Sequence, residues 1–241
     1  MKEGIKKIYE MTKFDFEDTQ DFKDPSKWPK NWVKIYYKTY PRMDKVSLVQ
    51  EPYNPGKLND ALRKRESIRV FSNNPILFTD LSQLLFYSLG IKDKSINQPK
   101  RMYPSAGARY PIEAYLISNQ IQGLDEGLFH YSPKNNELEV LLNENLNKVS
   151  RDMFGIEGEA IPNFLILTSV ISRSEVKYEL NAYRFSCIEC GHIGQNFSLI
   201  ASDKGLSYFP IGGFDNKKVE ELLDLTDDEI PLYAFAFGMP K

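Results

Sequence analysis

Phe164-Leu-Ile-Leu-Thr-Ser-Val-Ile171 heads the list of constraints on this chain. It is the longest strongly apolar run, of strand length, and reads as a buried strand around which the rest must build a core. It is roughly half as long as a membrane-spanning helix requires. The N-terminal Met1-Lys-Glu-Gly-Ile-Lys-Lys7 carries charge with no apolar segment behind it, so no signal peptide is expected. Two cysteines, Cys187 and Cys190, are too few for a disulfide scaffold, and a cytoplasmic protein is the expectation. Formal net charge is −2, from 31 Lys+Arg against 33 Asp+Glu, which argues against a general nucleic-acid binder. At 241 residues, 41% of them hydrophobic, the chain fits one soluble domain and is too apolar for disorder.

Residues 1–57 form the expected exception to a regular core. They are polar and punctuated by Pro25, Pro29, Pro41, Pro52 and Pro55, yet carry Tyr9, Phe14, Phe16, Phe22, Trp28, Trp32, Tyr36, Tyr37, Tyr40 and Tyr53. Disordered tails are poor in aromatics, so an irregular arm packed on the core is expected here, with the main domain at 58–241.

Regular patterning begins with Leu58, Ala61 and Leu62 at helical spacing. Thr79 or Asp80 is placed to cap a helix with apolar face Leu81, Leu84, Leu85 and Leu89, stopped by Gly90. Pro111–Ser118 alternates as a strand, and Leu128–Tyr131 and Leu138–Leu142 flank Ser-Pro-Lys-Asn-Asn as a hairpin. Tyr183–Lys204 is the longest helix, with Phe185, Ile188, His192, Phe197, Leu199 and Ile200 as its apolar or aromatic positions. Two strands, Leu206–Ile211 and Leu232–Phe237, bracket a short helix at Lys217–Leu223. Without a βαβ beat the fold class is α+β.

Five motifs carry candidate chemistry. Arg65-Glu-Ser-Ile-Arg69 sets two guanidiniums four apart, on one face if helical, with Ser67 between them. Forked guanidiniums suit a phosphate, although a solvated charged helix end is the commoner meaning of such a pair. Pro104-Ser-Ala-Gly-Ala108 is either a plain turn or a loop whose backbone lies against a flat ring. Cys187-Ile-Glu-Cys-Gly-His192 lacks a fourth ligand for structural zinc and has Gly191 where haem attachment needs histidine, so packed thiols are preferred and no metal is expected. Lys177-Tyr178 is an exposed pair or an acid–base pair, and if extended its side chains diverge. Either group has a reference pKa of about 10 and needs a shifted environment to act as a base. Pro210-Ile-Gly-Gly-Phe-Asp215 suggests a sharp bend or a backbone close to a ligand.

The order of these motifs, with Glu189-x-Gly-His192-x-x-Gln195-Asn196 in the long helix, resembles the nitroreductase fold. Within it the chain is most similar to the SagB-type dehydrogenases, which include thiazoline and oxazoline oxidases of peptide natural-product pathways. Tyr9–Lys13 and Tyr37–Pro41 also look like that branch, and the likeness spans nearly the whole chain. The resemblance implies a nitroreductase-like fold, with a mixed, mainly antiparallel sheet flanked by helices, in a domain-swapped-style homodimer with FMN at the subunit interface. It assigns Arg65, Ser67 and Arg69 to the FMN phosphate and ribityl chain. Pro104, Ser105, Ala106 and Gly107 match the loop beside the flavin ring, and Gly212 and Gly213 the loop on its far side. Glu189, His192, Gln195 and Asn196 match the long-helix motif of the cofactor site. Lys177 and Tyr178 match the pair that marks the azoline oxidases, with a peptide as substrate and a cyclodehydratase as partner. The alternatives are an NAD(P)H-dependent nitroreductase or quinone reductase, and a non-catalytic scaffold of a peptide-modifying complex.

Overall fold

The computed structural model describes residues 3–12, 26, 57–93, 100–157 and 160–241. The expected arm therefore lies largely outside the described residues, Tyr37–Pro41 included. In chain order the elements are α1 (Glu3–Thr12), α2 (Lys57–Lys64), β1 (Ile76–Leu77), α3 (Phe78–Leu89), β2 (Ile91–Asp93), β3 (Lys100–Arg101), β4 (Ile112–Ser118), β5 (Ile121–Gln122), β6 (Gly127–Ser132), β7 (Glu137–Leu142), α4 (Asn147–Phe154), β8 (Asn163–Val170), α5 (Ser172–Tyr178), α6 (Asn181–Asp203), β9 (Ser207–Ile211), α7 (Asn216–Leu222) and β10 (Glu229–Gly238).

The main sheet runs β7-β6-β4-β8-β10-β9. Every pairing in it is antiparallel, which corrects the expectation of a mixed sheet. The parallel pairing is the separate β1–β5 contact of Ile76 with Ile121 and Leu77 with Gln122. β8 is central, and its apolar run follows from cover on both faces. Leu165 and Leu167 point into one core with Leu81, Leu84, Leu85 and Leu89 of α3 and Ile193, Phe197 and Ala201 of α6. Phe164 and Ile166 point into a second core with Met153 and Phe154 of α4 and Val219 of α7. β10 alternates likewise, with Phe235 and Phe237 to the first face and Ala234 and Ala236 to the second. A third cluster seats Ile5 and Tyr9 of α1 against Ile171, Ala182 and Ile230.

Two local expectations change. Leu77 precedes α3 and offers no side-chain cap, so Thr79 and Asp80 fall in its first turn, and Asp80 pairs with Lys204 at 2.8 Å. α6 buries Ala182, Ser186, Glu189, Cys190, Ile193, Gly194, Phe197, Ser198 and Ala201; of the expected positions Phe197 is fully buried, whereas His192 is exposed and Ile188 half exposed. Close packing explains this. Phe197 stacks on Phe235 at 4.8 Å, and a Cβ on Gly194 would lie 2.9 Å from Tyr233 and 3.0 Å from Phe235. Only small residues fit between helix and sheet there, and Phe185, Ile188 and His192 are left for another surface.

His130 on β6 lies between Glu113 (2.9 Å) and Glu139 (2.6 Å), and Glu113 also pairs with Arg173 of α5. The hydrogen bond to Glu113 raises the His130 pKa above its ordinary value, against burial. Burial pushes Glu113 up, but His130 and Arg173 outweigh it and hold the carboxyl below its ordinary range. A raised histidine stabilises the fold fully below about pH 6.5 and loses that contribution as pH rises through its folded value. The lowered Glu113 adds stability above about pH 4.5 that is lost on acidification through its folded value. His130→Gln is therefore expected to unfold more easily than wild type at about pH 6, by about 1 kcal/mol, with the gap closing towards about pH 9. Urea midpoints across that range test this, and a pH-independent gap would contradict it.

Candidate active site

The Pro104–Ala108 loop is built on buried anchors. Tyr103 is 2% exposed, Arg101 donates to its hydroxyl at 3.0 Å, and Asn196 Nδ2 of α6 donates to the Met102 carbonyl at 3.2 Å. The Tyr110 N–H donates to Ser105 Oγ at 2.8 Å. Between them Ala106–Ala108 forms a 3₁₀ turn, with φ of +60° at Gly107 and +52° at Ala108. A Cβ on Gly107 would stand 2.4 Å from the Tyr178 hydroxyl and 2.9 Å from Lys177 Nζ. The phenol and the ammonium thus meet at one point of the loop backbone.

Both side chains come from the last turn of α5, not from an extended stretch. α5 is moored at its start. Ser172 donates from its N–H (3.1 Å) and hydroxyl (2.5 Å) to Asp228, Arg173 pairs with Glu113, and Arg109 Nε donates to the Arg173 carbonyl at 2.6 Å. Glu179 ends the helix at φ +50°, ψ −132°, a sparsely populated conformation for a residue with a side chain. Lys177 Nζ lies 5.1 Å from the Tyr178 ring centroid, and that ring meets Phe185 edge-on at 5.0 Å.

Phe185 opens the neighbouring space. A cavity of about 260 Å³ lies between Pro104, Ser105 and Ala106 on one side and Phe185, Ile188, Glu189 and His192 of α6 on the other. Sequence reasoning assigned Phe185 and Ile188 to the core; they wall this cavity. Glu189 is 2% exposed and bonds the Ser105 hydroxyl. Burial pushes its carboxyl up to about 7, against Ser105 and the Arg101 charge. Nothing in the helical periodicity announces a buried acid there.

The remaining expected residues form a second group. Residues 65–70 are not helical, so Arg65 and Arg69 do not share a helix face. Long-range bonds fix this stretch instead: Ile68 N–H to the Tyr208 carbonyl (2.8 Å), Ser72 N–H to the Met239 carbonyl (2.9 Å), and a bridge between Phe71 and Pro240. Arg65 and Arg69 are exposed, Ser67 is half-buried, and Arg69 lies over Phe209 at 5.2 Å. Arg69 and Lys241 line one cavity of about 580 Å³ with residues 70–73, Ile156, Glu157 and Ala160. Gly212 and Gly213 follow β9, and the space where a Gly212 side chain would stand is open. Gln195 is exposed on α6. Cys187 and Cys190 are free thiols whose pKa values burial raises, and no cluster of three or more metal-ligating side chains occurs among the described residues. No helix among those residues is long and apolar enough to cross a membrane.

The protein MJ1384 of Methanocaldococcus jannaschii, named as a nitroreductase, is 30% identical over 187 residues, covering 76% of this chain and 90% of its own. The microcin B17-processing protein McbC of Escherichia coli is 27% identical over 184 residues, covering 73% of this chain and 67% of its own. Among solved structures, the E. coli microcin synthetase McbBCD complex with truncated pro-MccB17 bound contains a chain with the same fold. The match has a TM-score of 0.77 at 21% identity and covers 100% of this chain and 95% of that one. The nitroreductase family model matches residues 62–239, which hold the whole sheet and both groups of site residues, and the chain belongs to the nitroreductase family.

Proposed function

We propose that this protein is an FMN-dependent oxidoreductase that dehydrogenates peptide thiazolines and oxazolines to thiazoles and oxazoles. The convergence of Lys177 and Tyr178 on Gly107, beside an apolar-walled cavity, carries the reading. Similarity to a microcin-processing protein supports it.

The residues present fit FMN. Arg65 and Arg69 are exposed guanidiniums without a carboxylate partner among the described residues, and suit the phosphate together with Ser67. Pro104, Ser105, Ala106 and Gly107 offer a backbone surface for a flat ring. Gly212, with Gly213 beside it, leaves open space on the far side, and Glu189, His192, Gln195 and Asn196 complete the helix wall. Bound FMN supplies a two-electron hydride acceptor. Tyr178 acts as the phenolate, a charge that the Lys177 ammonium stabilises, and takes the proton from the ring carbon. The domain at 58–241 works as a cytoplasmic homodimer in this reading. Exposed Ile68, Val70 and Ile188 are the apolar surface a second copy would cover, and a cyclodehydratase supplies the azoline peptide.

Lys177→Ala and Tyr178→Phe are expected to retain FMN and lose azoline oxidation by about two to four orders of magnitude. Arg65→Ala should instead release FMN. Turnover of a thiazoline peptide, with flavin content read from the visible spectrum, tests both. Full turnover by both pair variants removes them from the mechanism. Similarity to MJ1384 favours a second reading, NAD(P)H-dependent nitro or quinone reduction, which NAD(P)H oxidation with such acceptors would reveal.

A further inference from the structure

Glu189 lines the cavity beside the loop and carries an atom that no contact inside the protein explains. Glu189 Oε1 is buried and has no hydrogen-bond partner among the described residues. Leaving such a group unsatisfied is costly, and more so if it is charged. Pro104, Ala106, Phe185 and Ile188 give it apolar surroundings. Ser105 fixes the polarity of the carboxyl. Its Oγ accepts from the Tyr110 N–H, so its own proton is free for Glu189, and the oxygen facing Ser105 is an acceptor. An acid form with its proton on Oε1 leaves the other oxygen to accept from Ser105.

The charged and titratable groups around it are few. From the loop come Arg101 and Tyr103, and from α6 itself Cys190 and His192. Burial keeps Tyr103 and Cys190 neutral, Arg101 favours the carboxylate, and burial of Glu189 outweighs it. At the far end of the loop stand Lys177 and Tyr178.

We propose that Glu189, as the neutral acid, donates a hydrogen bond from Oε1 to the ring nitrogen of the bound azoline and so polarises its C=N bond. This rests on the azoline reading above and adds an acid to its base. The proton leaves the ring carbon next to nitrogen for the Lys177–Tyr178 pair. The adjacent ring carbon gives up its hydrogen with both electrons, a hydride that FMN would accept when bound. Glu189 keeps its proton, and the ring gains a C=C bond and becomes aromatic. A buried neutral acid aimed at developing negative charge is an effective electrostatic stabiliser.

The azole product retains the ring nitrogen as an acceptor, so equilibrium binding of an azole peptide to the FMN-loaded enzyme tests the contact without turnover. Affinity is expected to be about tenfold weaker at about pH 8 than at about pH 6, as the acid form is lost. Glu189→Gln keeps an N–H donor and should bind with little pH dependence, whereas His192→Gln should retain it. Wild-type protein alone gives a second readout: an infrared protonated-carboxyl band that fades over that range and persists once azole peptide is bound. A pH-independent wild-type affinity, or a pH dependence that survives in Glu189→Gln, overturns the proposal. A peptide that binds at neither pH overturns the azoline reading itself.

Discussion

Replacing Gly107 by alanine is expected to lower azoline turnover by about two to four orders of magnitude while leaving the protein folded. Left-handed backbone alone does not demand glycine in this loop, because Ala108 and Tyr110 adopt φ of +52° and +48° with side chains in place. The close approach demands it. A methyl group at residue 107 would crowd the Tyr178 hydroxyl and Lys177 Nζ too closely for either to stay in place. Those are the free ends of flexible side chains, so the fold can yield by moving them, at about 1–2 kcal/mol for the strained alanine. What cannot survive is the alignment of base and cation with the cavity. The measurement pairs turnover with a thermal melt. A stable variant that has lost oxidation but kept FMN separates positioning from cofactor binding; undiminished turnover would mean that the pair acts elsewhere or not at all.

What the sequence makes legible divides along the range of the interactions. The β6–β7 hairpin, β8, and the extents of α3 and α6 follow from local signals: turn residues at 132–136, an unbroken apolar run, and a helical repeat ended by glycine. The inward face of α6 does not, because bulk is a poor guide where helix and sheet pack so closely that Gly194, Ser198 and Ala201 fill the contact. Arg65 and Arg69 would share a face only in a helix, and partners on β9 and beyond β10, which no local pattern encodes, hold residues 65–70 out of one. The site behaves similarly. Its loop and its Lys-Tyr pair are each visible as motifs, but their meeting at Gly107 is a long-range fact. Glu189 is visible only as a motif letter, and its buried, unpartnered oxygen belongs to the folded state.

Asn163 is where the largest loss of stability is expected. It opens β8, is fully buried, and stands at the edge of an apolar run, so its sequence context suggests nothing more than a strand end. In the fold its Oδ1 accepts the N–H groups of Asn119 (2.9 Å) and Gln120 (2.8 Å), and its Nδ2 donates to the carbonyls of Gln120 (3.3 Å) and Phe237 (3.4 Å). One side chain thus satisfies the turn that leaves β4. Asn163→Leu keeps the branched four-atom skeleton and removes all four bonds, leaving two backbone donors without an acceptor. At about 1–3 kcal/mol for each, the loss is about 2–6 kcal/mol, a large part of a typical domain's stability. The damage should reach function as well. Gln120 also accepts the Ile76 N–H at 3.2 Å beside the β1–β5 pairing, a few residues beyond the stretch that carries Arg65, Ser67 and Arg69. Flavin retention should therefore fall together with the urea midpoint, at an unchanged slope. A midpoint equal to wild type would show that these four bonds contribute nothing net, and that the turn is held by packing alone.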